Sequence, residues 1–368
     1  MSFSSSSFLG CFIVLTPSPG DIHQVHKNIS LLASALKLFN ERKSQYQALE
    51  FHIVIQKNEQ SQLFKSIHLY KEYYSEILSR VQDYYKYNFN VMMPIFDNEQ
   101  DLVEHVDHNI CSSLNNSSQQ FDCYWIKNDD NTNLSSFPCT IYRNNFNSIF
   151  DNIEISNPNL EEQDDDNKYS YLFNPQVDQD SKSMGTVEQY SKYHVVCVGG
   201  TFDRLHLGHK ILLTQTLLLF KNDDPNCEKR REIEIGVSVE NLLKNKKYKE
   251  LIQSFEVRRD RVLKCMKEIN PKLNPKFVNI FELYEPWGPI ATDPELQVLV
   301  VSEETLNGAK KGNELRVNEK KFKPYDIVCI PLLLPKTYGS MPAMNDLKLS
   351  STQLRELDLQ KQTMNKSY

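Results

Sequence analysis

Apolar runs and helical spacings alternate along the chain in two blocks, separated by a long polar stretch. In the first block, FLGCFIVL from Phe8 predicts a buried strand. Residues 21–38 have helical spacing through Ile22, Val25, Ile29, Leu32 and Leu38. FHIVI from Phe51 predicts a second strand, and residues 59–87 a long helix with Leu63, Ile67, Tyr70, Tyr74, Ile77 and Val81 on one face. VMMPIF from Val91 is a third strand candidate, and residues 102–106 a short helix. Strands alternating with helices imply a small parallel sheet. From about residue 109 to 187 the chain turns to Asn, Ser, Asp and Gln, as in SSLNNSSQQ and EEQDDDNK, which bury too little apolar surface to offset chain ordering. CYWI at Cys123 and FPCTIY at Phe137 are strand candidates inside this stretch that still belong to the first domain.

The second block begins at His194. HVVCV predicts a strand, residues 209–220 an apolar helix, and IEIGVSV from Ile233 a second strand. Residues 255–269 have amphipathic helical spacing with Ser254 as cap. FVNIFEL from Phe277, QVLVVS from Gln297 and YDIVCI from Tyr325 predict strands, residues 313–321 a helix, and Thr352 opens a last one. The near-continuous apolar strands predict a Rossmann-like, doubly wound parallel sheet covered on both faces. The expected organisation is a smaller α/β domain over residues 1–150, an acidic linker over 151–190 and a second α/β domain over 191–368.

Charge changes the picture once it is divided this way. The 368 residues carry a formal net charge of −6, which argues against a general nucleic-acid binder. By region the net is −4, −8 and +6, so the acidic middle conceals a basic C-terminal block. The apolar run from Phe8 to Leu15 is far shorter than the roughly 20 residues a membrane helix needs, and no Lys or Arg precedes it as in a secretory signal. The eight cysteines include no C-x-x-C pair, and most read as small core residues. A soluble, cytoplasmic protein without a membrane span is expected.

The chemistry concentrates in VVCVGGTFDRLHLGHK, residues 195–210. A strand ends, two glycines and a threonine make a turn, and a helix begins. In doubly wound sheets ligands bind outside the carboxyl ends of strands, where helix N-termini offer free N–H groups. Gly199 and Gly200 let backbone approach a phosphate, and His206 and His209 fall on one side of the first helical turn, able to donate to oxygens gaining charge. A plain turn needs neither histidine. A zinc helix would want a glutamate and a third ligand, and a dinucleotide fingerprint spaces its glycines differently.

GGTFDRLHLGHK resembles the nucleotidyltransferase superfamily signature, in which G-T-F-D precedes H-x-G-H. Residues 194–358 more narrowly resemble the eukaryotic-type phosphopantetheine adenylyltransferases, the domain that in animals forms part of coenzyme A synthase. LLKNKKYKELIQSFEVR from Leu242, GPIATDPELQVLVVSEET from Gly288 and LSSTQLR from Leu349 carry that match. The resemblance implies transfer of AMP from ATP to 4′-phosphopantetheine, giving dephospho-coenzyme A and pyrophosphate, with Mg²⁺ accompanying ATP. An acceptor phosphate is already anionic, so no general base or covalent nucleophile is required and positioning with charge stabilisation suffices.

By position in the motif, Thr201 orients the reacting phosphates, and His206 and His209 contact those of ATP. Phe202 and Asp203 shape the turn. Ser350, Ser351 and Thr352 form an N-cap constellation for the β- and γ-phosphates, with Arg355 pairing to the same groups or lying on a solvated helix face. Lys244 is expected to hold the acceptor phosphate, beside Lys246, Lys247 and Lys249. Arg258 and Arg259 are expected at the surface. SEETLNGAKKGNELR, residues 302–316, is expected to be a flexible loop offering Lys310, Lys311, Asn313 and Arg316 to the nucleotide. Trp287 either lines the pantetheine channel or packs in the core. No G-x-x-x-x-G-K-[ST] loop occurs, so a single activity is expected. The competing readings are a nicotinate mononucleotide adenylyltransferase, a cytidylyltransferase, disfavoured because LSSTQLR stands where R-T-x-G-I-S-T is usual, and a catalytically inactive regulatory scaffold.

Overall fold

The computed structural model describes residues 8–16, 19–56, 66–81, 83–93, 121–128, 139–145, 148–154, 192–221, 228–334 and 350–365. The chain divides into two compact units, the first spanning Met1–Val177 with Pro335–Pro342, the second Asp178–Leu334 with Ala343–Tyr368.

The first unit holds β1 (Phe8–Thr16), α1 (Ile22–Arg42), β2 (Tyr46–Ile55), α2 (Ile67–Arg80), β3 (Asn88–Met92), β4 (Phe121–Asn128), β5 (Cys139–Asn145) and β6 (Ser148–Glu154). Its sheet runs β3-β2-β1-β4-β5-β6, with the first four strands parallel and the last two antiparallel. β1 is central, and Cys11, Phe12, Ile13 and Val14 are fully buried, which is why that strand reads as an unbroken apolar run. On one face Phe12 stacks on Tyr124 and Phe51, with Phe39 of α1 edge-on to both Phe12 and Phe51. Asp21 caps α1 by accepting from the Gln24 backbone N–H at 2.8 Å. CYWI and FPCTIY form β4 and β5 of this same sheet, as expected, with β4 adding in parallel on the other side of β1, and β6 is the strand beyond those expected. β6 runs to Glu154, past residue 150. The helix expected at 102–106 lies outside the described residues, as do residues 155–190 of the acidic stretch.

The second unit holds β7 (Val195–Gly200), α3 (Leu207–Leu219), β8 (Glu232–Ser238), α4 (Phe255–Ile269), β9 (Val278–Leu283), β10 (Val298–Val301), α5 (Glu303–Leu315), β11 (Asp326–Cys329) and α6 (Ser351–Asn365). All five strands are parallel, in the order β11-β10-β7-β8-β9. The chain leaves β7 toward β8 and later returns to β10 on β7's other side. The carboxyl ends of β7 and β10 therefore flank the topological switch point, where such sheets open a crevice. Ser254 caps α4 as expected, accepting from the Val257 N–H.

Residues 302–316 are not a flexible loop. They form α5, opened by a capping box in which Ser302 and Thr305 satisfy each other's chain end. Gly312 supplies close packing here. A methyl group at that position would collide with the Tyr325 hydroxyl and sit 2.9 Å from Ile290. Asn313 exchanges two hydrogen bonds with the Tyr325 backbone, at 2.9 and 3.0 Å. Arg316 is fully buried and donates to the carbonyls of Ile290, Asp293 and Lys323. Neither Asn313 nor Arg316 is therefore presented to a ligand, whereas Lys310 and Lys311 remain exposed on α5. Trp287 lies 3.5 Å from where a Gly312 methyl would be, so it packs against α5.

Candidate active site

β7 delivers the motif to the crevice. Gly199 is exposed, and Gly200 and Thr201 are half-buried. Phe202 (φ 50°) and Arg204 (φ 49°) both adopt the left-handed conformation, which side-chain-bearing residues hold at a cost of about 1–3 kcal/mol each. Phe202 is fully buried with its ring 5.4 Å from that of His209, so packing offsets part of that cost. Gly208 lets His206 lie across the helix start, since a methyl there would stand 3.2 Å from the imidazole.

His206 is the N-cap of α3 and His209 the third helical residue. Their rings are 3.9 Å apart and inclined by 31°. The His206 backbone N–H donates to His209 Nδ1 at 3.3 Å. An accepting Nδ1 puts the proton of a neutral ring on Nε2, leaving Nε2–H free to donate away from the helix. Burial depresses the His206 pKa to about 4, against the opposing pull of Asp203 and Glu304. Burial also lowers His209 well below the usual histidine range, helped by His206 and Lys246. Both rings are therefore neutral hydrogen-bond donors at pH 7, not cations.

Beneath the turn lies a polar network that no motif in the sequence marks. Asp203 is fully buried, and its carboxylate accepts from Arg204 Nη1 (2.9 and 3.0 Å), Arg355 Nη1 (2.7 Å) and the Gln253 backbone N–H (3.1 Å). Arg355 does not lie on a solvated face. It is buried, and its other nitrogens donate to Thr352 Oγ1 and the Lys247 carbonyl, both at 3.0 Å. Arg258 is likewise buried, and donates to the carbonyls of Thr201, Ser238 and Gln253 at 2.8–2.9 Å. The surface position expected for it fails because its partners are backbone oxygens. Arg259 pairs with Asp260 on the outside of α4.

The Arg355–Asp203 pair brings the first turn of α6 beside the motif. Ser350 caps that turn, accepting from the Gln353 N–H, while Gln353 Oε1 accepts from the Ser350 N–H. Thr352 accepts from Arg355, and Ser351 stands between them at the helix start. The loop after β8 lies alongside. Tyr248 donates to Glu356 of α6 at 3.0 Å, and Lys244, Lys246 and Lys249 are exposed. The positive charge of Lys246 adds to the depression of His209. The lysine run hides this effect, since sequence spacing gives each of its members the same prospects.

The bonds of Arg355 to Asp203 and to the Lys247 carbonyl, with Tyr248 on Glu356, thus bring the motif, the α6 cap and the lysine loop together beyond the carboxyl end of β7. The cytidylyltransferase-like family model matches residues 197–357, which contain all three. A phosphopantetheine adenylyltransferase of Thermococcus kodakarensis is 39% identical over 142 residues, covering 39% of this chain and 77% of the relative. The chain belongs to this family, the phosphopantetheine adenylyltransferases among the cytidylyltransferase-like proteins. Another phosphopantetheine adenylyltransferase, from Saccharomyces cerevisiae, is 34% identical over 167 residues, covering 45% of this chain and 49% of the relative. An uncharacterised protein of Schizosaccharomyces pombe is 39% identical over 162 residues, covering 44% and 47%. The chain spans about half the length of these two fungal relatives. Among the described residues of this family member, no three His, Cys, Asp or Glu side chains gather into a metal site, and no helix is long and apolar enough to cross a membrane.

Proposed function

We propose that the second unit transfers the adenylyl group of ATP to 4′-phosphopantetheine, releasing dephospho-coenzyme A and pyrophosphate. A phosphate oxygen of the acceptor attacks the α-phosphorus. The bond from that phosphorus to the bridging oxygen breaks, and pyrophosphate leaves with the electron pair. What supports this reading most is the close, neutral His206–His209 pair at the start of α3, with His209 oriented to donate from Nε2. Neutral donors stabilise charge developing on phosphate oxygens while exchanging no proton with the substrates.

In this reading Gly199, Gly200 and Thr201 receive the α-phosphate, His206 and His209 donate to it, and the α6 cap at Ser350, Ser351 and Thr352 takes the pyrophosphate portion. Lys244 and Lys246 are the candidates for the acceptor phosphate. Arg355 contributes through Thr352 and Asp203, not by contact. Mg²⁺ would be held chiefly by the phosphates of ATP and by water, as this ion ordinarily is in phosphoryl-transfer sites. The protein is incubated with Mg-ATP and, in parallel, 4′-phosphopantetheine or nicotinate mononucleotide, and with Mg-CTP and phosphocholine, while pyrophosphate is followed. Release with 4′-phosphopantetheine alone is the expected outcome. Silence with that acceptor, or release with another, refutes the assignment.

A further inference from the structure

We propose that Asp203 is a positioning residue that fixes the two halves of the nucleotide site relative to each other, an inference that rests on the adenylyl-transfer reading. One half is the turn from Gly199 to His209. The other is the start of α6, far along the chain, where Ser350–Thr352 would meet the departing pyrophosphate. Asp203 lies in the first half and is bonded at 2.7 Å to Arg355, which in turn holds Thr352 at 3.0 Å. A single fully buried carboxylate therefore connects the turn to a hydroxyl of the cap.

Two further observations give the carboxylate this role. The residues on either side of it, Phe202 and Arg204, are the left-handed pair of the turn, so the backbone around Asp203 keeps its shape only while the surroundings hold it. The remaining contacts of Asp203 supply that hold. Its bond from the Gln253 N–H and the Arg204–Gln253 contact tie the turn to the start of α4. Arg258 grips Thr201 and Gln253 by their carbonyls. Arg204 also reaches Asp358 of α6 at 2.7 Å, a second tie between the same two segments. The charges point the same way. Arg204 and Arg355 pair with the buried Asp203 and the half-exposed Asp358, while the third buried guanidinium, Arg258, bonds only to carbonyls, leaving an excess of positive charge under a site for polyphosphate.

The test compares the full-length wild type with Asp203→Asn, Arg355→Lys and the double variant, by calorimetry with Mg-ATP and by steady-state pyrophosphate release. Arg230→Gln is the control, since Arg230 is bound by Glu232, Glu234 and Asp293 at the opposite end of the sheet. Arg355→Lys keeps the charge and gives up the three-way fork. Each single variant is expected to weaken Mg-ATP at least tenfold and raise KM for ATP, with KM for 4′-phosphopantetheine unchanged. The double variant should be no weaker than the worse single, as for two members of one link. Arg230→Gln should lose melting temperature and keep both ATP constants. ATP affinity within twofold of wild type in either single variant, additive losses, or the same ATP defect in Arg230→Gln overturns the proposal. If Asp203→Asn does not fold, Arg355→Lys decides by the same criteria. A wild type that binds Mg-ATP but releases no pyrophosphate with 4′-phosphopantetheine overturns the acceptor assignment instead, and the ATP comparison still stands.

Discussion

The largest fully buried side chains of the first unit are rings, among them Phe12, Phe39, Phe51 and Tyr124, whereas those of the second unit are Arg258, Arg316 and Arg355, with Phe202. Both units have a core of parallel strands with helices between them, the first with two antiparallel strands added at one edge, so the contrast does not come from the central architecture. Rings fill space and gain from area removed from water, and any well-shaped apolar group serves in part. A buried guanidinium must be repaid in hydrogen bonds, and here it bonds mostly to carbonyl oxygens of loops. Such a core stabilises particular loop conformations at the cost of more desolvation. The difference shows which unit needs its loops held in place.

The largest effect that would sharpen this contrast is Phe12→Ala, which removes the ring shared by Phe39, Phe51 and Tyr124. It is expected to destabilise the first unit by about 3–5 kcal/mol in denaturant unfolding. Pyrophosphate release at 20 °C should stay within twofold of wild type. A collapse of turnover in protein that is still folded would break the division of labour between the units.

Next in size is His209→Ala, expected to lower kcat for pyrophosphate release by about 10²–10³, the range for losing one donor to a charged transition state. The melting temperature should fall by only a few degrees, because the lost His206 N–H contact resembles a helix cap worth about 1 kcal/mol. A large stability loss with turnover intact would make His209 a packing residue like those of the first unit.

The smallest expected effect concerns His206, whose pKa falls from the usual histidine value to about 4 on burial. A histidine depressed by folding leaves the unfolded chain binding more protons at acid pH. Its contribution to stability is therefore present above about pH 6.5 and lost as pH falls toward 4. Because the ring is partly exposed, the loss is expected to be roughly 1–2 kcal/mol, less than the full shift implies. His206→Asn, which retains a capping side chain, should show a shallower fall in stability over that range. Parallel curves for the two proteins would mean that His206 is not held neutral.

Legibility followed the kind of interaction involved. β7, α3 and α4 could be read because their signals are local: an apolar run, a period, and Ser254 at a cap. The motif was legible because its glycines and histidines are adjacent in the chain. Residues 302–316 look like a loop because Gly308 and Gly312 resemble helix breakers, while the reason for Gly312 is the Tyr325 hydroxyl standing against it. Burial of Arg258, Arg316 and Arg355 is not legible in the sequence, because charge ordinarily implies exposure. Their partners include the carbonyls of Thr201, Ile290 and Lys247, and a carbonyl is present at every residue, so no letter of the sequence marks the pairing.

Arginines that hold loops by their main chain have a consequence for how the chain can vary. A clamp on a carbonyl is indifferent to the side chain of the residue it grips, so Lys247 and Lys323 are free to change identity while the grip persists. Tolerance is thus one-sided: strict at the guanidinium and loose at the segment it holds. Such loops can drift in composition, and acquire new surface chemistry, without letting go of the crevice they frame.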